Sequence, residues 1–113
     1  MTQTIARPWE TKRTEETRLV EDTLRKSGFE TVEAYRYNSA SIRVRVIDPR
    51  FEGLSIENRD ALVEPHLEQL PDRTQADIIS LFTFAPSELQ PTDQTVRVMS
   101  INSEFECPSP SML

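Results

Sequence analysis

The chain of 113 residues contains one cysteine, one histidine and two glycines. A single cysteine cannot form an internal disulfide, which excludes a secreted disulfide scaffold. One histidine and one cysteine cannot supply a zinc or iron ligand set of the usual spacing. With only Gly28 and Gly53, there is no glycine-rich phosphate loop, no nucleophile elbow and no Gly-x-x-Gly clamp of the kind that grips single-stranded nucleic acid. No apolar run approaches the roughly 20 residues needed to span a bilayer. Basic charge is also short: 13 Lys and Arg face 19 Asp and Glu, for a net charge of −6. Nucleic acids and anionic membranes draw on Lys and Arg, so both are disfavoured partners. The opening MTQTIARPWETKRTEET lacks an apolar stretch and soon turns acidic, so the expectation is a cytoplasmic protein without a targeting peptide.

What remains is the composition of one globular domain. Hydrophobic residues make up 36% and charged residues of both signs 28%. Surface scaling for a chain this size allows folding to hide about two thirds of the unfolded surface, enough for one core.

Residues 1–13 read as an N-terminal arm, with Ile5 and Trp9 as docking points. Residues 14–27 predict a helix: Thr14 is its N-cap, Glu15 and Glu16 suit its positive end, Arg25 and Lys26 its negative end, and Gly28 the left-handed position beyond it. Leu24 and Phe29 occupy the two positions that touch in a Schellman ending, and Glu21 and Asp22 fall among the carboxylates expected in water. From residue 30 the period becomes two. Residues 30–37 and 41–47 predict strands joined at Asn38-Ser39, with Asn38 suited to a positive φ and Arg43 and Arg45 on a solvent-facing side. Ser55 predicts the N-cap of a helix carrying Ile56, Val63, Leu67 and Leu70, in which Pro65 marks either a kink or a break. Residues 75–84 are apolar on both faces, as in an interior strand, and 85–89 predict a short helical turn. Residues 95–101 alternate as an extra strand, and 102–113 form a flexible tail. The fold class is α+β: an α-β-β-α-β mixed sheet with helices on one face, within a single domain over 14–101.

The residues from 51 to 89 carry a pattern: Phe51-Glu52-Gly53, then Arg59, Val63 and Leu67, then Ala76, then Ala85-Pro86-Ser87-Glu88. In this order and spacing the chain resembles the BolA-like family. That resemblance implies a fold similar to type II KH domains and non-enzymatic roles: binding monothiol glutaredoxins, assisting iron–sulfur handling, or regulating transcription. It points to Phe51, Gly53, Arg59 and Gln75 as partner-binding residues. The family's Arg-His pair reads Arg59-Asp60 here, and its His-Ala reads Gln75-Ala76. Gln75 lacks an imidazole nitrogen, so no metal or cofactor of its own is expected.

The remaining candidates have ordinary explanations. His66 reads as a surface histidine and Cys107 as a tail thiol. Arg36, Arg43 and Arg45 are the candidate basic stripe for a KH-like nucleic-acid regulator, although a solvated sheet face paired with acids accounts for them better. Arg59 reads better as a helix-face arginine paired with an acid such as Glu57 or Glu88, its partner-binding role resting on the resemblance. No pair of catalytic groups can be named, so the chain is read as a non-enzyme, monomer or dimer, whose partner is another protein such as a monothiol glutaredoxin.

Overall fold

The computed structural model describes residues 7–92 and 94–112. The element order is α1 (Glu15–Lys26), β1 (Thr31–Asn38), β2 (Ser41–Ile47), α2 (Ile56–Leu67), α3 (Asp72–Asp77), β3 (Ile78–Phe84) and α4 (Val96–Glu106), with 3-10 turns at Pro8–Lys12, Pro49–Phe51 and Pro86–Leu89. The strands form one mixed sheet in the order β1-β2-β3, β2 running antiparallel to β1 and parallel to β3.

Local chemistry explains α1. Thr14 accepts from the Thr17 N–H while the Thr17 hydroxyl accepts from the Thr14 N–H, a reciprocal cap. At the other end Gly28 takes φ +100°, the Phe29 N–H reaches the Leu24 carbonyl at 3.3 Å and the Gly28 N–H the Arg25 carbonyl at 3.0 Å, which is the Schellman pattern. Val20 and Leu24 then face the sheet, where they join Val32, Ala34, Val44, Val46, Phe51, Val63 and Leu67 in the main core.

The hairpin forms without the predicted positive φ. Among the described residues only Gly28 and Gly53 have one. Instead the Asn38 side chain accepts from the Ala40 N–H and the Ser41 hydroxyl, an Asx turn that closes the loop locally. Helix α2 runs unbroken through Pro65. Pro65 deprives the Ala61 carbonyl of its helical donor, but both residues lie on the exposed face, which leaves that carbonyl open to solvent.

Four expectations are corrected. The strand over 75–84 begins at Ile78, because Pro71 starts the short polar helix α3 first. It is an edge strand rather than an interior one; its apolar character on both faces follows from Leu81 packing toward the main core and Phe82 toward a second cluster on the opposite face. Residues 95–101 do not form a strand, and 102–106 are not tail. Thr95 caps a helix whose Val98, Ile101 and Phe105 share one side, and Phe105 buries itself against Trp9 and Tyr35. This helix covers the sheet face opposite α1 and α2, so β2 is covered on both sides and Arg45 is only 3% exposed. Finally, Glu21 is buried rather than solvated: its carboxylate takes Arg13 and the Ala34 N–H. Trp9, foreseen as a docking point, packs in the second cluster; Ile5 lies outside the described residues.

Candidate functional site

Phe51 is a core side chain, fully buried and 6.1 Å from the Phe29 ring. Gly53 sits in the exposed turn after it, with φ +74°, a backbone conformation that side-chain-bearing residues rarely adopt. Arg59 projects from α2 and is 5% exposed. Its guanidinium donates to the Leu54 carbonyl at 3.0 Å, the Thr83 carbonyl at 3.1 Å and both oxygens of Glu88, the nearer at 2.7 Å. Glu88 in turn accepts from the Ala85 N–H at 2.7 Å. Burial alone pushes the Glu88 carboxyl up, but Arg59 and the Ala85 amide outweigh it and hold the group below its ordinary value. Arg59 therefore ties α2 to the end of β3 and the following turn. Of the two pairings considered for it, Glu88 is the one formed.

Gln75 is half-buried on α3. Its amide donates to the Leu70 carbonyl at 2.6 Å and the Glu68 carbonyl at 3.3 Å, which fixes the connection from α2. It borders a groove of about 430 Å³ together with Asp60, Glu64, Glu68, Ile78 and Ile79. Asp60, Glu64 and Glu68 recur every four residues and so share one side of the helix. Burial, and then the neighbouring Glu64 charge, push the Asp60 carboxyl above its ordinary value, and its Oδ1 is buried with no hydrogen-bond partner among the described residues. Ile79 is the extra residue where the β2–β3 register shifts, and it stands 69% exposed.

The three candidate nucleic-acid arginines do not form a stripe. Arg36 pairs in register with Ile42 and so lies on the α1 side of the sheet, whereas Arg43 and Arg45 lie on the α4 side. Arg36 is held by Glu16 at 2.9 Å and Asp77 at 2.7 Å. Hydrogen bonding to Arg36 lowers the Glu16 pKa despite some burial. Arg43 stacks 3.7 Å from the Tyr37 ring centre and bonds the Glu104 carboxylate at 3.1 Å and its carbonyl at 3.0 Å. Arg45 takes Glu33, Asn102 and Glu106 at 2.6–2.9 Å and lies 4.4 Å from the Phe105 ring centre. All three cations are matched by internal carboxylates, and α4 lies over two of them.

His66 meets the Phe29 ring edge-on at 5.6 Å, and Cys107 is exposed at the end of α4. Among the described residues no three His, Cys, Asp or Glu side chains gather as a metal site, and no helix is long and apolar enough to cross a membrane.

No family model matches the sequence, and no curated protein matches it. Among solved structures, BolA1 from Arabidopsis thaliana superposes with a TM-score of 0.50 over 68% of this chain and 99% of its own, at 16% identity. The fold is BolA-like. Within this fold Phe51 packs the core and Arg59 locks β3 to α2. Sequence reasoning missed Ile79, the Asp60–Glu64–Glu68 series and the whole of α4. The four-residue spacing of the acids was the available signal for the second of these.

Proposed function

We propose that this chain is a non-catalytic protein-interaction module of the BolA type, binding its partner along α3, β3 and the adjoining side of α2. The observation that carries this reading is the outer edge of β3, where Ile79 projects into solvent beside Gln75 and an acidic groove. An isoleucine exposed in this way beside an incompletely paired strand is a typical protein-binding feature. A monothiol glutaredoxin is the partner that the family resemblance suggests.

Cluster ligation of the family kind does not fit these residues. Gln75 stands where a histidine donor would be needed, and its carboxamide offers only a hard carbonyl oxygen, while its nitrogen donates to two backbone carbonyls. The turn at Ser39-Ala40 offers no thiol or imidazole. The adaptor role therefore needs no iron–sulfur step.

Calorimetric titration of the full chain with a monothiol glutaredoxin tests this. Binding that Ile79→Lys abolishes, in a mixture that remains colourless, is the expected result. Absence of binding would overturn the suggested partner, and binding indifferent to that substitution would overturn the proposed surface. A brown complex would overturn the ligation argument.

A further inference from the structure

The sheet has two outer edges, and the chain treats them differently. Along β1, helix α1 caps the outward groups: the Glu21 carboxylate takes the Ala34 N–H at 2.9 Å and Arg25 donates to the Val32 carbonyl at 2.9 Å. Along β3 the cap is incomplete. The Asp48 N–H donates to the Phe84 carbonyl, so Phe84 points toward β2, and Arg59 meets the outward Thr83 carbonyl. Backbone direction alternates along a strand, so Leu81 turns its N–H and its carbonyl outward, and Thr83 its N–H. With no partner among the described residues, groups of this kind are a template for another strand.

Two grooves flank these groups. At the C-terminal half of β3 a slot of about 300 Å³ lies between α2 and α4, walled by Ile56, Leu81, Val98 and Ile101. Thr83 also lines it; that residue is 4% exposed, and its hydroxyl has no hydrogen-bond partner among the described residues. At the N-terminal half lies the groove of Asp60, Glu64 and Glu68, for which no ion pair is formed among the described residues. From Ile79 to Thr83 is four residues, about 13 Å at ~3.3 Å per residue.

We propose that the β3 edge takes an extended peptide segment as a fourth strand, with an apolar side chain in the slot between α2 and α4 and a Lys or Arg about four residues away in the acidic groove. The inference rests on the partner surface proposed above and specifies what that surface accepts. Charge complementarity selects the basic residue. The slot has helices for both walls, so it admits a lone strand; a second copy would bring its own α2 and α4 against the same walls.

Selection of short random peptides displayed on phage against the full chain tests this, followed by titration of one selected synthetic peptide. The expected peptides pair a β-branched or other apolar residue with Lys or Arg about four positions away. Affinity is expected to fall about tenfold or more in Glu64→Lys/Glu68→Lys and again in Val98→Lys, and to weaken with added salt. Circular dichroism checks that both variants keep the fold. Failure to enrich any peptide, enrichment without basic residues, or affinity untouched by both variants overturns the proposal, as does a dimer that Val98→Lys dissolves. A glutaredoxin that binds the full chain but is not displaced by the peptide would overturn this inference while leaving the adaptor reading intact. Peptide binding without glutaredoxin binding would do the reverse for the suggested partner.

Discussion

Replacing Phe105 by alanine asks whether α4 belongs to the folded domain. Phe105 is fully buried, with ring centres 4.8 Å from Tyr35, 5.3 Å from Phe82 and 5.5 Å from Trp9, and Arg45 lies over its face. Truncating a buried phenylalanine costs about 3–5 kcal/mol, the upper part of that range applying where aromatic neighbours cannot collapse into the space. The tilted and edge-on rings here are held from behind by the sheet, so collapse is limited. For a domain of this size each kcal/mol moves Tm by about 4 °C, which gives a fall of roughly 12–20 °C. Differential scanning calorimetry reads the midpoint, and the emission of Trp9, the one tryptophan, reads whether its pocket has opened. Trp9 donates to Glu106 at 2.9 Å, so undocking α4 should shift its emission to the red. An unchanged midpoint together with unchanged emission would show that α4 does not pack as described.

The Arg59–Glu88 tie should behave as a partly buried pair: Glu88→Gln is expected to cost about 1–2 kcal/mol in urea unfolding, and Arg59→Met about 3 kcal/mol, since the second change strands a carboxylate and two carbonyls. Acid should destabilise the fold. Asp48 and Glu88 are held below their ordinary values of 3.8 and 4.5 by Arg50 and Arg59 against the opposing effect of burial, and Glu104 by Ser109 and Arg43. Their folded-state pKa values lie below the unfolded ones, so their contribution is present above about pH 4.5 and lost as pH falls through the lowered values, as a pH series of melting curves would record. Asp60 carries the opposite sign, because burial raises its pKa. Its charge opposes folding at neutral pH, so Asp60→Asn should leave stability unchanged or higher at pH 7, with the gain vanishing once acid protonates Asp60 in both states. A loss of stability in Asp60→Asn at pH 7 would contradict that assignment.

What could be read in the sequence was what is decided locally. The caps at Thr14 and Gly28 act within a few residues, and the alternation of 41–47 defines its strand without help from elsewhere. Pro86-Ser87-Glu88 formed its turn for the same reason. Helix α4 was misread because Val96 and Val98 are β-branched and the stretch is short; its helical state depends on Phe105 finding Trp9, Tyr35 and Phe82, contacts that no local pattern records. Covering Arg43 and Arg45 followed from the same missing helix. Glu21 looked solvated beside Asp22, and nothing in its neighbourhood announced that the Ala34 N–H would need a carboxylate. At the candidate site Phe51 is buried in the core and Arg59 is held by Thr83 and Glu88, while Ile79 and the acids of α2 line the groove at the other end of β3.

In this BolA-like fold the β3 edge is left open, and the arginine-bearing face of the sheet is closed by α4. Amide hydrogen exchange followed residue by residue by NMR, in the free chain and with a bound partner, addresses both parts at once. In the free chain Leu81 is expected to exchange faster than Phe82 and β2 to be protected throughout, and binding is expected to slow Leu81 and Thr83 selectively. Slow exchange at Leu81 before any partner is added, or fast exchange at Arg43 and Arg45 in the free chain that binding slows, would contradict it.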